Sequence, residues 1–86
     1  MITSTDELWS AIERIATNLE MRSSPEDADF AKRIRQAMSI SSVGTEVWAA
    51  TRFVLTELQN SKLNLTDEDR HEIGNAIWTL SRGLHG

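Results

Sequence analysis

Glu68 and His71 stand three residues apart, as Glu-x-x-His. On a helix that spacing brings a carboxylate and an imidazole onto one turn, as in carboxylate-bridged di-metal bundles. Such a centre needs a second Glu-x-x-His and two more inward glutamates. The chain has two histidines, and the other, His85, is next to last. The pair reads instead as the charged, solvated start of a helix, with no metal and no other cofactor. Nucleophilic chemistry finds no better footing. Serines are frequent, but none lies in a nucleophile-elbow pattern, and no orienting network surrounds the histidines. Glu26, Asp27 and Asp29 sit together at a helix start, where the dipole accounts for acidic residues. No glycine-rich loop could cradle a phosphate. A chain of 86 residues also has little material for an enclosed ligand pocket. The expectation is a protein that is not an enzyme and has no small-molecule substrate.

Nucleic acid is disfavoured on charge. The net charge is −4, with 13 acidic and 9 basic residues, and an acidic chain is repelled by phosphates unless its cations are concentrated. Lys32, Arg33 and Arg35 form the one basic cluster, on the segment that would precede the recognition helix of a helix-turn-helix. That recognition helix would open with Ser42, Val43, Gly44, Thr45 and Glu46, none of which makes bidentate base contacts of the Arg, Lys, Asn or Gln kind. A small DNA-binding regulator using segments 25–39 and 43–60 therefore stands as the alternative.

Aromatic residues offer a different kind of chemistry. The chain has three tryptophans and no tyrosine. In "EVWAATRFVL" (46–55), Trp48 and Phe53 cannot share one helical face. Trp48 with Arg52, and Trp78 with Arg82, are i,i+4 pairs in which a guanidinium can lie over an indole. Gly74 sits mid-helix beside Trp78, where glycine is unfavourable unless something approaches closely. Trp48, Arg52, Phe53, Gly74, Trp78 and Arg82 are thus the candidate partner-binding residues, since Trp and Arg are enriched where interfaces draw most of their energy.

The elements that position these residues are four helices. The first spans about 5–22, opens on Ser4 or Thr5 as cap, and carries Leu8, Ile12, Ile15 and Leu19 as one stripe. The second spans 25–39, with Ser24 as N-cap, Pro25 in the first turn, and Phe30, Ile34 and Met38 inward. The third spans 43–60 and starts near Ser42 or Thr45. Its stripe of Val43, Val47, Ala50, Val54 and Leu58 is widened by Leu55 and Trp48, which marks it as the central helix. The fourth spans 67–82, capped by Thr66, with Ile73, Ile77, Leu80 and Leu84 apolar and Gly83 as the C′ residue. No segment alternates with period two. The fold class is all-α, a compact four-helix bundle forming a single helical domain over 1–86.

No cysteine is present, the N-terminus lacks the pattern of a secretion signal, and no apolar run reaches membrane-spanning length. A cytoplasmic protein without a membrane partner is expected. Its function reads as protein–protein interaction: an adaptor, an inhibitor or an immunity-type neutraliser, binding another protein or itself as a homodimer.

Overall fold

The computed structural model describes residues 5–22, 24–39 and 44–85. Four helices follow in order: α1 (Thr5–Glu20), α2 (Pro25–Met38), α3 (Gly44–Gln59) and α4 (Asp67–His85). No strand occurs among the described residues. The protein is an all-α four-helix bundle. Ser4, Ser42 and Val43, assigned to helix starts from the sequence, lie outside the described residues.

Two starts form as their residue types dictate. Ser24 holds an extended conformation (φ −84°, ψ 134°), and its Oγ accepts a hydrogen bond from the Glu26 N–H at 3.3 Å, with Pro25 next in line. Thr66 and Asp69 cap α4 reciprocally. The Asp69 N–H donates to Thr66 Oγ1 at 3.0 Å, and the Thr66 N–H donates to Asp69 Oδ2 at 3.4 Å.

Two ends differ from expectation. α1 stops at Glu20 because its last turn tightens: the Arg22 N–H reaches the Leu19 carbonyl, three residues back, at 3.2 Å. α4 does not stop at Arg82. No described glycine has positive φ, so Gly83 is an ordinary helical residue and the helix runs on to His85. The Schellman-type ending assigned to Gly83 is therefore absent.

Contacts between helices fix the topology. α1 packs on α2 and α4, and α3 packs on α2 and α4; the backbones of the diagonal pairs stay apart, and across one diagonal the Trp9 ring of α1 meets the Trp48 ring of α3. Arg22 meets Asp27 while Arg35 meets Glu20 and Glu13, so α1 and α2 are antiparallel. Gln59 meets Arg70 while Arg52 meets Ser81, so α3 and α4 are antiparallel too. Arg22 lies by Asp69, and Arg14 by Glu72, which sets α4 against α1 in the same sense. The bundle is an up-down-up-down ring. In that ring α3 occupies one corner like the others, which corrects its expected place at the centre.

The core follows the stripes with one rotation. Leu8, Ile12, Ile15 and Leu19 of α1 are buried, as are Ala31 and Ile34 of α2 and Ile73, Ala76 and Leu80 of α4. In α3 the buried line is Thr51, Val54, Leu55 and Leu58, while Val47 and Ala50 are only half-buried. Leu55 is thus core and not rim. Leu63 and Leu65 of the α3–α4 linker close the bundle's end, each burial contributing about 2 kcal/mol.

Candidate functional site

Sequence reasoning grouped six residues, and the structure divides them. Trp48 turns inward. Its ring meets Trp9 edge-on, with centroids 6.2 Å apart and planes at 87°, and its edge occupies the space left by the missing side chain of Gly83. The expected stacking of Arg52 on Trp48 does not form. Arg52 reaches across the seam instead, where Nη1 donates to Ser81 Oγ at 3.5 Å. Gly74 lies on the same seam. The group facing it is the Gln59 amide, 3.6 Å from where a Cβ would stand, so no backbone crowds it and its glycine is not sterically required.

The other three residues face outward. Phe53 is 63% exposed and Trp78 57%. Arg82 lies over the Trp78 ring, its guanidinium carbon 4.6 Å from the centroid. Trp78 flanks the α3–α4 seam, three residues before Ser81; Phe53 lies about 100° round α3 from the seam-facing Arg52, one turn before Glu57, which pairs with α2. Met21, the third large exposed apolar side chain among the described residues, stands apart in the α1–α2 turn.

The basic cluster serves the bundle itself. Arg35 pairs with Glu20 (2.8 Å) and Glu13 (2.8 Å) and donates to Thr17 Oγ1, binding α2 to α1. The hydrogen bond from Arg35 holds the Glu20 carboxyl below its usual range, against a smaller opposing effect of desolvation, and the two acids raise the guanidinium above its own. Arg33 pairs with Glu57 of α3 and lies 5.2 Å from the Phe30 ring. Only Lys32 of the three lacks an acidic partner among the described residues. Two of the three cations that a helix-turn-helix would offer to phosphate are therefore already neutralised.

Glu68 and His71 line a shallow groove of about 570 Å³ between α1 and α4, with Asp6, Glu7 and the Arg14–Glu72 ion pair opposite or beside them. Among the described residues no group of three His, Cys, Asp or Glu side chains is placed to hold a metal ion. No described helix is long and apolar enough to cross a membrane.

One polar centre was not read from the sequence. Asp27 is 3% exposed, and its Oδ2 accepts from Arg22 Nε at 3.1 Å while Oδ1 has no partner among the described residues. Arg22 also donates to the Asn64 carbonyl and lies 3.7 Å from Asp69, so one guanidinium ties three segments at this end of the bundle. The signal was present: 27, 31 and 34 fall on one helical stripe, and the acid belonged with the core. Thr51 is its counterpart in α3, wholly buried, its hydroxyl unpaired among the described residues.

Comparison of the chain with protein-family models, with curated proteins and with solved structures finds no match.

Proposed function

We propose that this is a non-catalytic protein-binding module of the adaptor, inhibitor or neutraliser type, acting in the cytoplasm through the outer face of α3 and α4. The observation that carries the reading is Trp78, more than half exposed on a rigid helix with Arg82 stacked against it. An indole left in water forgoes about 2 kcal/mol that burial would contribute. A preordered Trp–Arg pair also meets a partner with little further loss of side-chain freedom. Phe53 is a second exposed ring, on the outer side of α3. The acidic composition supports a protein partner over a nucleic acid. The ion pairs of Arg33 and Arg35 weigh against the DNA-binding alternative.

The test is capture. The chain immobilised at one end is incubated with extract of its source cells, beside Trp78→Ala and Phe53→Ala chains of equal helicity. A protein retained by the parent and lost from both variants supports the reading. Identical retention by all three chains overturns it.

A further inference from the structure

Resting on the reading of the outer face of α4 as a protein-binding surface, we infer that the partner presents a basic segment whose Lys or Arg side chains enter the groove between α1 and α4. The groove holds about 570 Å³, within the range of ligand-binding clefts. The Arg14–Glu72 bridge crosses it and sets the register. Because the two helices are antiparallel, Asp6 and Glu7 lie about two turns to one side of that bridge. Glu68 lies about one turn to the other side. The acids are therefore spread along roughly 18 Å, the reach of about five extended residues. Ser10 and Asn75 line the stretch between them and offer hydrogen bonds to a bound backbone.

Charge selects this occupant. The groove sets four carboxylates against one guanidinium, a net charge of −3 with its histidine neutral, out of −4 for the whole chain. The rest of the chain has nine acidic and eight basic residues and is close to balance. Arg14 is already committed to Glu72 at 2.8 Å, whereas Asp6 and Glu68 have no ion pair among the described residues. A concave surface of one sign focuses its field and speeds the approach of opposite charge. A neutral or acidic partner would desolvate these carboxylates without pairing them. Trp78 is a second, independent observation on the same side. His71, Asn75, Trp78 and Arg82 recur at spacings of four, three and four and form one stripe of α4. The exposed indole stands one turn beyond Asn75, on the side of the Arg14–Glu72 bridge where Asp6 and Glu7 lie. A segment that sets a basic side chain by those acids can lay an apolar neighbour on the indole.

The probe is a fluorescein-labelled hexapeptide alternating arginine and leucine, with a glutamate–leucine peptide as control. Its binding to the full chain is read by fluorescence anisotropy. The arginine peptide should bind, more weakly as salt rises, and the glutamate peptide should not. Asp6→Asn with Glu68→Gln should weaken binding about tenfold or more, and Trp78→Ala several-fold. Glu26→Gln with Asp29→Asn removes the same charge outside the groove and should change binding less than about twofold. These are exposed side chains, and circular dichroism verifies that each fold is intact. No binding of the arginine peptide, or equal weakening by the two double variants, overturns the inference. The capture experiment separates this failure from that of the broader reading. A captured protein lost on Trp78→Ala but retained by Asp6→Asn/Glu68→Gln sinks the basic segment and leaves the interaction face standing. A peptide bound in the groove, with capture indifferent to Trp78→Ala and Phe53→Ala, supports the groove and sinks the α3–α4 face.

Discussion

Substituting alanine for Gly83 should destabilise the bundle, although the same change at Gly74 should stabilise it. In an exposed helix interior Gly→Ala is worth about 1 kcal/mol in favour of alanine. At Gly83 that gain meets Trp48. The added methyl would lie 2.5 Å from Cε3 and 2.9 Å from Cη2 of the indole, with Cζ3 closer still. The ring must move. Overpacking of this kind costs about 1–3 kcal/mol, and displacing the ring forfeits its edge-on contact with Trp9, worth roughly 0.5–1.5 kcal/mol. The balance is a net loss of about 1–3 kcal/mol. At Gly74 the added methyl meets the Gln59 amide at 3.6 Å, an ordinary contact, so alanine retains most of its advantage there. Urea unfolding followed by far-ultraviolet circular dichroism reads both. A third chain isolates the cause: with Trp48→Ala in place, Gly83→Ala should turn from destabilising to neutral or stabilising. If Gly83→Ala unfolds at the parent's midpoint or above, Trp48 is not seated as described and the reasoning fails.

Two further outcomes follow from the polar contacts. Arg22→Ala should lower stability by about 2–3 kcal/mol, because it strands the buried Asp27 carboxylate and releases the α3–α4 linker; the partly wet guanidinium keeps the figure below that of a fully buried pair. Asp27→Asn in that background should recover part of the loss, and no recovery in urea midpoints would remove the stranded charge as the cause. Glu20 gives a pH dependence. Its folded value lies below the ordinary 4.5, so its contribution is full above that pH and is lost as pH falls through the lower folded value. A carboxyl-carbon NMR titration should place the Glu20 midpoint below 4.5 and return it to that value in Arg35→Gln; an unmoved midpoint counts against the Arg35 clamp.

What the sequence disclosed depended on how local the determinant was. The stripe of Leu8, Ile12, Ile15 and Leu19, and the caps at Ser24 and Thr66, are written within a few residues, and each forms as read. Gly83 carried an ambiguous signal. A glycine late in a helix can end it or make room for a neighbour, and the neighbour here is Trp48, 35 positions earlier in the chain. The burial of Thr51 and Asp27 likewise depends on which helices face them. The same holds for the arginines. Arg33 and Arg35, two of the three cations of the basic cluster, find their acids on other helices and brace α2 against α3 and α1. In the candidate surface, exposure of Trp78 with Arg82 was legible from i,i+4 spacing. The inward turn of Trp48 was not, because its partners Trp9 and Gly83 come from opposite ends of the sequence.

The ring of helices has a kinetic consequence. Three of its four seams join helices consecutive in the chain, and only the α1–α4 seam joins elements far apart in sequence. Bringing consecutive helices together closes short loops, with little chain entropy to lose, so these pairs can form early and quickly. The α1–α4 seam must wait for the others to draw its two sides together. It is also the seam that retains a groove and is bridged by the half-exposed Arg14–Glu72 pair. Substitutions within it are therefore predicted to accelerate unfolding while leaving the folding rate nearly unchanged.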